Sequence, residues 1–188
     1  MARLLICYST GTGTTEVFAK AVAEGAASVD GVNVSLKNAN DIIPEDLATI
    51  DGVILGSPVH MGSMDWQMKK VIDGPFAMMW IQKGLVGKVG AVFTSGSGIG
   101  QVGAGAEGAM IAMLANLAEL GMIIVPFPSS APGYHTNGLH WGPSAITSES
   151  KDGRPLGVPD EQQIAARSHG ANVARVTAEL AGKRLLDP

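Results

Sequence analysis

The sequence predicts an α/β domain, a doubly wound parallel sheet of five strands with helices on both faces, and three observations support it. Apolar runs alternate with helical segments along the chain. Four of the five runs are short and almost wholly apolar, as strands buried on both faces are. Glycine-rich loops directly follow three of them. Such alternation is the pattern of parallel strands crossed by helices.

Taken in order, the strands are expected at Leu4–Tyr8, Val32–Lys37, Gly52–Gly56, Val89–Thr94 and Met122–Phe127. Helices are expected at Thr15–Ala27, Trp66–Asp73, Glu107–Leu120 and Asp160–Leu180. The last carries Ile164, Ala165, Val173, Val176 and Leu180 at helical spacing. Its acidic first turn, Asp160 and Glu161, and the Lys183-Arg184 pair past its end match the helix dipole. Between the second and third strands, Pro44-Glu45-Asp46-Leu47 supports only a short helical turn. Residues 128–159 are rich in Pro, Gly, Ser and Asn yet hold Tyr134, His135, His140 and Trp141, a composition expected of a packed cover.

Composition narrows the function. The 188 residues fit one domain, residues 1–188, and no apolar run approaches the roughly 20 residues that cross a bilayer. The net charge is −4, and the 13 Lys and Arg are thinly scattered, so neither a nucleic-acid stripe nor a polybasic membrane patch is expected. The amino terminus turns polar too soon for a secretory signal, which points to the cytoplasm. Cys7 sits in an apolar run and reads as a buried small hydrophobe. No metal site is read from the chain.

In a parallel sheet every loop that follows a strand emerges at the carboxyl edge, where ligands bind. The first such loop lies in Tyr8-Ser9-Thr10-Gly11-Thr12-Gly13-Thr14-Thr15-Glu16, seven Ser, Thr or Gly residues running straight into a helix. Backbone N–H groups and the positive dipole end favour an anion there, and the hydroxyls add donors without charge. A P-loop would close on Gly-Lys-Ser/Thr, but no lysine precedes Lys20, so a nucleoside triphosphate is excluded and a terminal phosphate monoester suits the loop. The loop Ser57–Met64 offers Pro58, His60, Met61 and Gly62 as a wall for a flat ring. In Ser95–Gly105, Gly98-Ile99-Gly100-Gln101-Val102-Gly103 satisfies GxGxxG, but it follows the fourth strand, and the acidic Glu119 lies on a helix. A dinucleotide fold is therefore not supported.

Together these motifs resemble the flavodoxin-like family, and most closely its WrbA-type branch of NAD(P)H:quinone oxidoreductases; the resemblance spans nearly the whole chain. It implies strand order 2-1-3-4-5 and a non-covalently bound flavin mononucleotide. Ser9, Thr10, Gly11, Thr12, Gly13, Thr14 and Thr15 would form the phosphate loop. Pro58, Val59, His60, Met61, Gly62 and Ser63 would pack on the isoalloxazine, and Ser95, Gly96, Ser97, Gly98, Ile99 and Gly100 would form the third flavin-contacting loop. The chain departs from the branch: Glu119-Leu120 stand where it carries a histidine pair, Met61 replaces an aromatic residue, His60 replaces a basic one, and the 38–51 crossover and the 128–159 loop are shorter than in typical members.

The resemblance further implies NAD(P)H as donor, a quinone as acceptor, and a homo-oligomer, a dimer or tetramer, in which Trp80 reaches a neighbour's pocket. Ordinary core burial is the other reading of Trp80. His135 and His140 are candidates to hydrogen-bond a reduced quinone, or else to cap backbone or meet solvent. Trp80, His135 and His140 are thus the candidate catalytic residues. The alternative function is that of a flavodoxin-like carrier passing single electrons between protein partners.

Overall fold

The computed structural model describes residues 1–96, 105–147 and 157–186. The chain opens with β1 (Ala2–Tyr8), α1 (Thr14–Ala27) and β2 (Val32–Asn38). The short α2 (Pro44–Ala48), with proline in its first turn as the sequence suggests, leads to β3 (Gly52–His60). β4 (Ser63–Met64) folds straight back on β3. Helices α3 (Trp66–Val71) and α4 (Ala77–Ile81) follow, then β5 (Val89–Gly96), α5 (Ala106–Glu119) and β6 (Ile123–Ile124). The remaining elements are α6 (Tyr134–Asn137), β7 (Gly138–Leu139), β8 (Gly142–Ile146) and α7 (Asp160–Leu180).

The sheet runs β2-β1-β3-β5-β8-β7, so the expected order holds, with β5 as the fourth parallel strand. Its fifth position differs from the expectation. Of Met122–Phe127 only Ile123–Ile124 pairs, beside Val89 and Gly90, and β8 takes up the same flank of β5 higher up, opposite Thr94–Gly96. Pro126 and Pro128 explain the break, because neither can donate to a ladder. The chain between β6 and β8 forms α6 and the β7 hairpin, which gives part of the expected cover regular structure.

A second difference lies in the helix expected to end at Asp73. A π turn over Ile72–Phe76 accommodates Pro75 and carries the helix on into α4.

The strands bury both faces. On β1, Leu5 and Cys7 join the core under α3, α4 and α5, while Leu4, Ile6 and Tyr8 join the core under α1 and α7. Cys7 is fully buried, and its thiol is pushed up to about 12, so it stays an inert hydrophobe as expected. Phe18 of α1 meets Phe93 of β5 edge to face with centroids 5.8 Å apart. α1 and α7 cross backbone to backbone: a Cβ on Gly170 would lie 2.0 Å from the Val22 carbonyl oxygen, and one on Gly25 would lie 1.9 Å from that of Arg167. Only glycine permits that approach. No helix among the described residues is long and apolar enough to cross a membrane.

His169 sits within α7, wholly buried, with neither ring nitrogen hydrogen-bonded. It packs edge-on against Phe127 at 5.4 Å, in the segment that splits the fifth strand. Burial pulls its pKa from 6.5 down to about 4; the Val92 backbone, near the ring but outside hydrogen-bond geometry, opposes the shift. The folded state therefore keeps this imidazole neutral where the unfolded chain protonates. Its stabilising contribution is complete above pH 6.5 and is lost as pH falls towards 4, on the order of 3 kcal/mol in all. Urea titrations between those pH values should show this loss, and His169→Leu should flatten the slope; an unchanged slope would assign it to other groups.

Candidate functional site

The carboxyl edge of the sheet gathers the loop after β1 and the β3–β4 hairpin. In the first, the leading intrahelical bond of α1 runs from Val17 N–H to the Gly13 carbonyl at 3.1 Å. The N–H groups of Thr14, Thr15 and Glu16 therefore precede the helical ladder and face the turn. Gly13 adopts φ 89°, a left-handed conformation that costs glycine nothing, and its N–H donates to Thr10 Oγ1 at 3.0 Å. Thr10 keeps its own O–H proton for an outside acceptor. Thr12 is exposed, and Cβ atoms built on Gly11 and Gly13 would meet nothing within 4 Å, so the loop opens onto free space. The only charge in this turn, Glu16, is paired with Lys20 at 2.7 Å.

The hydroxyls of three residues expected at the ligand tie the loops together. Ser9, Thr15 and Ser95 are buried, with Thr15 Oγ1 and Ser95 Oγ 2.8 Å apart, which ties the start of α1 to the end of β5. Ser9 Oγ donates to Oδ1 of Asp65 at 2.7 Å, and the Met68 N–H donates to the same oxygen at 2.9 Å. Asp65 N–H in turn donates to Ser57 Oγ at 2.9 Å, and that hydroxyl donates to the Pro58 carbonyl at 2.8 Å. One buried carboxylate thus caps α3 and joins the first loop to the second. Asp65 is a residue the sequence reading missed, although Asp immediately before a helical run is a recognisable cap signal.

The second loop is not irregular. β3 extends through Pro58 and Val59 to His60 and turns back at Met61-Gly62, with Val59 opposite Met64 and His60 opposite Ser63. Both turn residues have positive φ, 49° and 78°, as tight hairpins whose twist matches the strands require. The turn is clamped from behind, since Cβ atoms on Gly105 and Gly108 of the α5 start would come within 2.6 and 2.7 Å of Gly62. Met61 is fully exposed at the tip. Of the third loop, Ser95 and Gly96 end β5; Ser97, Gly98, Ile99 and Gly100 lie outside the described residues. Among the described residues no His, Cys, Asp and Glu cluster is placed to hold a metal ion.

The donor set of neutral hydroxyls and helix N–H groups at an open edge coincides with a family match: the flavodoxin model covers residues 6–125. The chain belongs to the flavodoxin family. It is 31% identical over its whole length to NAD(P)H dehydrogenase (quinone) 3 of Rhizobium meliloti, spanning 98% of that protein. It is 38% identical to a flavodoxin of Aquifex aeolicus, over 53% of each chain. In fold it resembles the flavodoxin, WrbA-like protein from Agrobacterium tumefaciens, at TM-score 0.72 and 24% identity, over 96% of this chain and 99% of that one.

Within this flavodoxin-family fold the three candidate catalytic residues stand away from the carboxyl edge. Trp80 is 55% exposed rather than core, and with Asp73, Asn116 and Glu119 it lines a groove at the far end of α5. That helix of 14 residues is roughly 20 Å long at about 1.5 Å per residue. His135 and His140 are exposed at the outer edge of the sheet. Tyr134 OH and His140 Nδ1 are 2.8 Å apart, and the His140 carbonyl accepts from Phe127 N–H at 2.9 Å. Gly142, two residues on, abuts the Val92 carbonyl at mid-sheet, so this turn lies below the level of the hairpin. The structure brings neither histidine to the first loop.

The Asp65 knot should be measurable by urea unfolding. Asp65→Ala leaves the Ser9 hydroxyl and Met68 N–H without an acceptor and should cost about 2–4 kcal/mol. Asp65→Asn, whose amide oxygen still accepts, should cost clearly less; equal losses would mean that volume rather than hydrogen bonding matters there.

Proposed function

We propose that this chain binds flavin mononucleotide at the carboxyl edge and acts as an oxidoreductase that takes two electrons from NAD(P)H and passes them to a quinone. The observation that carries this reading is the extent of likeness. The match to the Rhizobium meliloti quinone dehydrogenase runs end to end, whereas the match to the Aquifex aeolicus flavodoxin stops at about half of each chain. That difference favours the enzyme over a carrier of single electrons.

The residues present fit the cofactor. A phosphate monoester needs donors without a fixed metal or lysine, and the first turn of α1 offers N–H groups together with the hydroxyls of Thr10, Thr12 and Thr14. When bound, the flavin supplies two-electron redox chemistry. The chain's own part is to hold and shield. The Asp65 knot and the Thr15–Ser95 pair keep the loops in register, and the hairpin from Pro58 to Ser63 would stand beside the ring. His60, exposed at the hairpin tip, is the protonatable side chain on the hairpin itself that could serve a reduced acceptor. Trp80, a helix length away, serves such a site only in another copy, which favours a homo-oligomer.

Mixing the anaerobic holoprotein with NADH or NADPH should bleach the flavin absorbance without a partner reductase, and benzoquinone should restore it. No bleaching would overturn the enzyme reading in favour of the carrier. The phosphate assignment has its own test: Thr10→Ala with Thr12→Ala should weaken flavin mononucleotide by about tenfold or more while riboflavin changes little. Equal losses for both would show that the phosphate is held elsewhere.

A further inference from the structure

Four cations that the sequence scatters meet at the amino edge of the sheet. Lys83 and Lys88 precede β5, Lys183 and Arg184 follow α7, and together they line a cavity of about 460 Å³. Among the described residues, Asp51 is the one carboxylate in that lining. The volume falls within the range of roughly 300–1,000 Å³ usual for small-molecule sites.

The charges are unequally met. Lys183 pairs with Glu179 at 2.5 Å on the surface. Lys88 is half-buried; burial pulls its pKa below the usual lysine range, and Asp51 offsets part of that. Asp51 also accepts from the Arg3 N–H at 2.8 Å, so its charge is shared. Lys83 is exposed, has no partner among the described residues, and holds a left-handed φ of 53° that a non-glycine residue adopts at a cost. Beside these cations the tail carries Leu185 and Leu186, each 45% exposed, with the Leu186 backbone nitrogen 3.7 Å from a Cβ built on Gly87. Cations beside uncovered leucines in one concavity suit a ligand with two ends.

We propose that this cavity binds an anionic amphiphile, with a phosphate or carboxylate head at Lys83 and Lys88 and an apolar body along Leu185 and Leu186. The site is separate from the carboxyl-edge loops, a full strand length away: β5 has eight residues, roughly 25 Å at about 3.3 Å each. It therefore stands or falls independently of flavin binding.

Isothermal titration with decyl phosphate below its micellar concentration should show saturable one-to-one binding that weakens with salt. Inorganic phosphate and decanol, each carrying one half of the ligand, should bind at least tenfold more weakly. Lys83→Glu, at an exposed position that leaves the core intact, should reduce decyl phosphate binding at least tenfold with the melting temperature retained, and Lys88→Gln should do the same. Sedimentation with phosphatidylglycerol vesicles, abolished by Lys83→Glu, would place the amphiphile in a membrane surface; binding of free decyl phosphate alone would place it in solution, and either supports the site. Binding by the Lys83→Glu protein at wild-type strength, or equal binding of decanol, would overturn it.

Discussion

A single buried carboxylate holds the carboxyl edge of this protein together. Asp65 is 2% exposed, and a charge in that position survives only if donors surround it. Ser9 comes from the end of β1, Met68 N–H from the first turn of α3, and Ser57 from β3 completes the chain of bonds. Three elements that are neighbours only after folding are thereby locked in one arrangement. The phosphate-type loop and the hairpin keep their spacing because the cap residue of α3 lies between them. Thr15 and Ser95 extend the lock to β5, so some hydroxyls of this edge tie the loops together while others, such as those of Thr10 and Thr12, stay open to a ligand.

Beneath that edge, tight backbone contact sets the layers. The glycine crossing of α1 and α7 brings the two helices close enough to seal one face of the sheet with small side chains, while the opposite face relies on larger ones such as Met68, Phe76, Met110 and Leu114. The asymmetry has a consequence for the split fifth strand. Gly142 lets β8 lie against Val92, Gly133 brings α6 against Ala165, and Phe127 bridges Tyr134 and His169. The inserted segment is thus packed into the α7 side of the molecule as a structural part, with its two histidines turned outward from the hairpin.

The two ends of the sheet differ in chemistry. The carboxyl edge offers neutral donors and an exposed methionine on a clamped hairpin; the amino edge collects cations and half-exposed leucines. Trp80 and Glu119 sit towards the second end, on the face built by α4 and α5. Parallel topology alone enforces this separation, since strands sharing one direction send their following loops to one edge and receive the preceding ones at the other.

Much of this was legible in the residues. Short, nearly continuous apolar runs at Leu4–Tyr8, Gly52–Gly56 and Val89–Thr94 specified central strands, and the run of hydroxyls and glycines into Thr15 specified a helix start built for an anion, because these depend on neighbours a few positions apart. Proline placement foretold α2, whereas past the expected helix end at Asp73 a π turn absorbs Pro75, which a regular helix rejects. The fifth strand was read as one run because its apolar composition does not show that Pro126 will end the pairing and that Gly142 will resume it. By itself the sequence determined the α/β class and the character of the first loop, both properties of local pattern, while the strand order came only with the resemblance to the flavodoxin-like family. Only the tertiary structure decided that Ser9, Thr15 and Ser95 face inward, that Asp65 joins them, and that Lys83, Lys88, Lys183 and Arg184 share one cavity, because each of those facts depends on residues that chain direction and packing, rather than sequence proximity, bring together.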